Sequence, residues 1–406
     1  MRGDFLYVIV IYVAKAAIFF TPLFVFGQLQ DVDVAKDFIL GYSLYVVAIP
    51  IVDMGYRIQV FRAFVRGDAY RARDVVRGAA IKLAVCLAFA LATIAFLDNK
   101  TVATFLPFAL AAVLASYGNH CLFFVGATRS FAYEAIGQSI NAVVFVGIFV
   151  FITLDPSLYG IPILIAACLY LGIGVTYFLH FAAKNSDAAA DQPAARETWR
   201  NSLETIIPYT IHVYAATLIG MADNLFISAF STAMTIAVFS VFMRMVQSAN
   251  TITSPYIQYV TPRISRAVRS GNPDELRHFE RLDFCIGAVL ATFAFVFYDI
   301  ILDLVFPNQS GVLTGTVYLG IFIVTVFFKA ISLSSSVLLS MAGKQWLRVY
   351  TLLFFVLTGY SMYYLLGHKG IVYLCLVLSY MIIGTSVTYL FFGYRVKRSI
   401  GVRHDV

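Results

Sequence analysis

Twelve times along this chain an apolar run of about 20 residues or more is followed by a short polar break. The runs are 5–27, 37–60, 78–97, 102–125, 131–153, 160–183, 203–229, 232–259, 283–306, 312–341, 347–367 and 370–393. A helix rises 1.5 Å per residue, so each run suffices to cross the ~30 Å hydrocarbon core of a bilayer. Barrel strands are excluded, because period-two alternation is absent and the runs far exceed ~9–11 residues. Charged residues make up only 13% of the 406 and hydrophobic ones 61%, against about 25% charged in a soluble domain. Water-soluble enzymes, disordered tails and disulfide scaffolds are excluded together. The expected fold class is an all-α polytopic membrane protein with twelve transmembrane helices.

Orientation follows from the basic residues. With a cytoplasmic N-terminus, 21 of the 29 Lys and Arg residues fall on inside segments, notably Arg62, Arg66, Arg71, Arg73 and Arg77, then Arg263, Arg266, Arg269, Arg277 and Arg281. Only Lys36, Lys100 and Lys369 fall outside. This split obeys the positive-inside rule and would be scrambled by a missed span. The net charge of +7 is thereby explained by topology beside an anionic leaflet, and no nucleic-acid partner is expected. Met1-Arg2-Gly3-Asp4 precedes the first run without a small-residue cleavage site, so that run reads as a retained span. A multi-pass protein of the plasma membrane with both termini cytoplasmic is expected.

The longest polar segment, KNSDAAADQPAARETWRN, separates spans six and seven. It divides the chain into an N-terminal six-helix lobe (1–183), a cytoplasmic linker (184–202) and a C-terminal six-helix lobe with a short tail (203–406). Each lobe's second span leads into a similar basic loop, Arg62-Ala63-Phe64-Val65-Arg66-Gly67-Asp68 and Arg266-Ala267-Val268-Arg269-Ser270-Gly271-Asn272, about three turns after Pro50 and Pro255. Such duplication is common in secondary transporters, whose sites lie where repeats meet. No P-loop and no G-x-S-x-G elbow occurs, and the six histidines have no metal-ligand spacing. The five cysteines, scattered through apolar runs, suggest neither zinc nor disulfides. No enzyme activity, metal or cofactor is expected.

An ionisable group near the bilayer centre costs about 2.5–3.5 kcal/mol even on the lenient scale, so it should face protein or water. Lys15, Arg244 and Lys329 lie mid-span, and Asp223 sits in the outer part of span seven. Asp53 and Arg57 are four apart and share a helix face, although Arg57 is also near enough to the cytoplasmic boundary to snorkel. Cations outnumber acids here. A water-filled vestibule so lined carries a positive potential and favours an anionic headgroup such as a diphosphate. Lys15, Arg57, Arg244 and Lys329 are therefore the candidate substrate-binding residues. Nothing binds ATP, so energy must come from a gradient, with Asp53 and Asp223 as candidate ion-coupling carboxylates. Pro22 and Pro208 could permit the bends of alternating access.

Ile207-Pro208, Met221-Ala222-Asp223-Asn224-Leu225-Phe226-Ile227 and Ala237-Val238-Phe239-Ser240 resemble the seventh and eighth helices of polysaccharide flippases. Thr261-Pro262-Arg263-Ile264-Ser265, then Gly271-Asn272-Pro273-Asp274-Glu275-Leu276, resembles that family's following loop, a turn and a short amphipathic segment. Ile51-Val52-Asp53-Met54-Gly55-Tyr56 is similar to the ending of its second helix. The family lies within the superfamily of multidrug, oligosaccharidyl-lipid and polysaccharide exporters. The resemblance implies two six-helix lobes in a V around a central cavity. It also implies a monomer flipping a polyprenyl-diphosphate-linked oligosaccharide, an O-antigen, capsule or exopolysaccharide unit, to the periplasmic leaflet of a bacterial inner membrane. Membrane lipids, a glycan polymerase and chain-length proteins are the partners it suggests. In related lipid flippases an acidic residue on helix seven holds sodium with partners on helices eleven and twelve. Here those helices offer Ser361, Thr385, Ser386 and Thr388 but no carboxylate, which favours proton coupling.

Two rivals stand beside this reading. A drug/cation antiporter of the same superfamily should line its cavity with acidic and aromatic groups. A membrane-embedded glycan polymerase or ligase should carry a large periplasmic loop, whereas every outside loop here is short.

Overall fold

A computed structural model describes scattered positions between 6 and 21, then residues 32–53, 99–128, 131–152, 160–185, 199–219, 223–305 and 310–402. Among these no strand occurs. Contacts divide the chain into two compact units, Met1–Val25 with Asp37–Tyr214 and Phe26–Lys36 with Ala215–Val406. The 78–97 span, most of 5–27 and most of the linker lie outside the described residues.

The first unit contains α2 (Asn99–Thr128), α3 (Phe131–Ile152) and α4 (Gly160–Asn185), and it includes most of α1 (Val32–Asp53) and of α5 (Trp199–Thr217). Helices α2 and α4 approach backbone to backbone. A Cβ at Gly174 would lie 2.9 Å from the Gly118 carbonyl oxygen and 3.2 Å from its Cα. Helices in lipid gain little from burying apolar surface, so small residues that permit close approach and interhelical hydrogen bonds hold them together. Both devices occur here. The Tyr170 hydroxyl on α4 donates to Asn119 Oδ1 on α2 at 2.7 Å and accepts from Gln138 Nε2 on α3. Gly174→Val forces these backbones apart. Overpacking of this kind costs about 2 kcal/mol, and thermal unfolding in detergent should show a lowered midpoint; an unchanged midpoint would mean the contact is dispensable.

The second unit holds the end of α5, then α6 (Asp223–Ile227), α7 (Ala233–Ser270), α8 (Pro273–Val305), α9 (Ser310–Leu313), α10 (Thr316–Ile331), α11 (Leu333–Met341), α12 (Gln345–Leu366), a 3-10 turn (Gly367–Lys369) and α13 (Ile371–Val402). Its centre is aromatic: Phe239, Phe242 and Tyr298 are fully buried, with the Phe322 ring 6.3 Å from Phe242 and 5.6 Å from Tyr298. Thr325 Oγ1 donates to Ser379 Oγ at 2.7 Å, joining α10 to α13. Outward, Val289, Phe295 and Leu304 on α8 are each about two-thirds exposed, the reverse of a soluble surface and suited to acyl chains. Five helices among the described residues are long and apolar enough to cross a membrane.

Several spans differ from expectation. The turn expected at Thr261-Pro262 is absent, since α7 runs unbroken from Ala233 to Ser270 and α8 begins at Pro273. Val260, Ile264 and Ala267, at helical spacing, pack against Leu276 and Phe279, so an apolar stripe continues the helices past the apolar run. The reversal is sharp: Gly271 caps α7 at φ 65° and donates to Ala267 O, while Asn272 Oδ1 accepts from the N–H groups of Asp274 and Glu275 at 3.1 and 3.3 Å. Gly past a helix end and Asn-Pro at the next start are the preferred residues there. α13 extends likewise to Val402, and Lys397 forms an ion pair with Glu280 on α8.

Span seven is described as far as a short π turn at Leu218–Ile219 and again from Asp223, where α6 lies. Pro208, expected at that span's start, lies inside α5, because the helix begins at Trp199. Span ten divides at Ser332 into α10 and α11. The start of α11 is met by a side chain from another helix: Asp283, fully buried on α8, accepts from Ser334 N at 2.7 Å and from Ser334 Oγ at 2.8 Å. A carboxylate at a helix N-terminus satisfies orphan donors and complements the dipole.

Candidate functional site

The outer part of span seven places a carboxylate in the interior of the second unit. Asp223, the first residue of α6, is 0% exposed, as is Asn224 beside it. The Tyr363 hydroxyl on α12 donates to Asp223 Oδ2 at 3.2 Å. Tyr360, one turn earlier on the same face, acts on the same carboxylate electrostatically and donates to Leu218 O at 2.9 Å, the carbonyl in the π turn. The two tyrosines thus reach both the π turn and α6. Around them the rings interlock edge to face: Phe226 with Tyr360 at 4.7 Å, Phe239 with Tyr363 at 6.0 Å, Tyr360 with Tyr363 at 5.9 Å, Phe226 with Phe230 at 5.5 Å. Gly367 fits beneath, since a Cβ there would lie 2.5 Å from Phe230 Cε2.

A carboxylate out of water must have its charge met by a proton, a cation or a paired group. Ring faces add attraction for cations, worth about 2 kcal/mol when desolvated. The arrangement suits a site that exchanges protons for cations.

The other expected site residues fall elsewhere. Arg244, 3% exposed on α7, donates through Nη1 to Gln247 Oε1 at 3.0 Å. With Ser240 and Gln247 it makes a buried polar stripe at helical spacing. Lys329, in the last turn of α10, is partly buried, and the charge acting on it is that of Arg348. Asp53 is the final residue of α1. Its side chain, and Lys15, Arg57 and Pro22, lie outside the described residues. Three of the four hydroxyls named on the last two helices bond to their own backbones: Ser361 donates to Leu357 O, Thr385 to Met381 O and Thr388 to Gly384 O, while Ser386 is buried. What the eleventh span contributes near Asp223 is aromatic. Tyr360 and Tyr363, spaced i, i+3, escaped sequence reasoning because their run of apolar and aromatic residues reads as an undifferentiated span. The fully buried Asp283 escaped because it stands at the edge of its run, where a solvated acid is ordinary.

No protein-family model matches the chain, and no curated protein matches it. Solved structures do. An inward-facing multidrug resistance MATE family transporter of the MOP superfamily aligns with a TM-score of 0.70 at 11% identity, covering 96% of this chain and 94% of that one. An outward-facing structure of such a transporter gives 0.68 at 12% identity, covering 98% and 96%. A variant of the Vibrio cholerae MATE transporter VcmN gives 0.64 at 13% identity, covering 98% and 95%. The chain therefore has the fold of the MATE transporters of the MOP superfamily and is a multi-pass membrane protein.

Proposed function

We propose that this chain is a gradient-driven exporter of the multidrug type, exchanging protons for apolar cationic solutes by alternating access. The observation that carries this is the buried Asp223 carboxylate, hydrogen-bonded by Tyr363 and set in the cluster of aromatic rings that Tyr363 and Tyr360 form with Phe226 and Phe239. A proton and an organic cation both suit such a site but cannot occupy it together, and mutual exclusion at one carboxylate is the elementary requirement for antiport. A buried acid among aromatic rings is the composition expected of a drug/cation antiporter, and the fold likeness to multidrug transporters supports the same reading. In this reading the lobes are 1–183 and 203–406, joined by 184–202, in a bacterial inner membrane with both termini inside. The test is efflux of ethidium from energised cells lacking their own exporters. Expressing cells should accumulate less dye, and a protonophore should abolish the difference. Equal accumulation with and without the protein would reject the reading.

A second reading, flipping of a polyprenyl-diphosphate-linked glycan, is favoured by one observation. Arg244 is buried on α7 with its guanidinium on the Gln247 amide, a buried cation suited to anionic cargo. Under it, Arg244→Ala removes surface glycan at normal expression, while ethidium efflux is absent from the wild type.

A further inference from the structure

One face of α13 changes character along its length. Val387, Phe391 and Tyr394 are each about half exposed, and Arg395 and Arg398, exposed as well, follow on the same face at helical spacing. The same order recurs on α8 in the opposite chain direction. Arg277 and Arg281 are exposed there, and Phe284 and Phe295, each more than half exposed, continue their face. Apolar side chains, then a ring, then arginine is the order in which a bilayer presents hydrocarbon, interface and headgroups.

The two faces are held level. Lys397 pairs with Glu280, which sets these positions of α13 and α8 near one height. A helix rises 1.5 Å per residue, so Arg281, one residue from Glu280, and Arg395 and Arg398, two and one residues from Lys397, lie within about 3 Å of that height along their helices. The pair also occupies the nearest acid. Arg277 donates to Asp274 Oδ1 at 3.0 Å. Among the described residues, Arg281, Arg395 and Arg398 enter no ion pair and donate no hydrogen bond. The Arg395 guanidinium lies over the Phe391 ring at 4.4 Å, which keeps it against the apolar stripe.

Three cations at one height, each continuous with an apolar face, match a partner that is anionic at one end and apolar at the other. Free phosphate lacks the second property, and an acidic protein segment would leave the apolar stripe uncovered. We propose that the α8–α13 end of the second unit binds anionic phospholipids, with phosphates at Arg281, Arg395 and Arg398 and acyl chains along Phe284 and Phe391. Arginine suits phosphate through its planar donors and weak hydration, and basic residues just beyond an apolar span attract anionic lipid. Topology asks only that such charges lie on one side of the membrane; the ion pair and the stripes give them a common height and a lipid-facing place.

The test is native mass spectrometry of the full-length protein in neutral detergent, titrated with phosphatidylglycerol or with phosphatidylcholine. Phosphatidylglycerol should be retained in preference. Arg281→Gln, Arg395→Gln and Arg398→Gln should each weaken its retention about fivefold, and the triple variant on the order of a hundredfold. Because these side chains bond to no other residue, the unfolding temperature in phosphatidylcholine should not change, and the single variants keep the test decisive should the triple variant fail to fold. Arg71→Gln, Arg73→Gln and Arg77→Gln together remove the same charge from the first lobe's basic loop and should leave the preference nearly intact. Inorganic phosphate at equal concentration should not displace the lipid. No preference between the lipids, equal weakening by the two triple variants, or displacement by inorganic phosphate overturns the proposal.

Discussion

Asp223→Asn should reduce proton-driven ethidium efflux to the level of cells lacking the protein, while membrane abundance and thermal stability stay close to wild type. Asparagine retains an acceptor for the Tyr363 hydroxyl but loses the charge that alternates between proton and solute. Losing a desolvated charge contact costs about 2–5 kcal/mol, so the initial rate should fall by on the order of a hundredfold. Tyr363→Phe removes one hydrogen bond to a charged group and should cost about tenfold. Wild-type efflux in the Asp223→Asn variant would remove this carboxylate from the coupling mechanism, whatever the cargo.

The second large effect concerns stability. Asp283→Ala leaves Ser334 N and Oγ without their acceptor in a fully buried place. Two lost hydrogen bonds to a charged acceptor, with the donors still buried, should cost about 3 kcal/mol. Asp283→Asn keeps an acceptor for one donor and should cost about half as much. Thermal unfolding of purified protein is the measurement. An alanine variant as stable as the wild type would mean that α11 starts without help from α8.

The helices were legible wherever hydropathy alone decides. The expected runs 131–153 and 160–183 coincide within two residues with α3 and α4. Misreading began where a helix leaves lipid or stops inside it. The extension of α7 and α8 has a polar composition, so a hydropathy scan ends at 259 and restarts at 283. Yet Gly271-Asn272-Pro273 spelled out the reversal, and the stripe of Val260, Ile264 and Ala267 was readable as a helical face. The division near 332 was not legible. Its run stays apolar throughout, and the group that meets the start of α11, Asp283, comes from another helix; Tyr360, which meets the π turn at Leu218, is likewise remote in sequence.

The candidate site divides the same way. A lone acid inside an apolar run marks Asp223 on cost alone. Its tyrosines carry no such signal, since only the fold brings positions 360 and 363 to position 223. Arg281, Arg395 and Arg398 read as topology charges, and nothing in the sequence reports that the pairing of Glu280 with Lys397 sets them at one height.

The glycine seam between α2 and α4 limits how the first unit can move. With Gly174 against the Gly118 backbone and Tyr170 bonded to Asn119 and Gln138, α2, α3 and α4 cannot slide past one another without breaking polar bonds in oil. They must travel as a single slab. Whatever flexing a transport cycle demands of this half is displaced to joints beyond the slab, and cross-links within it should leave turnover untouched.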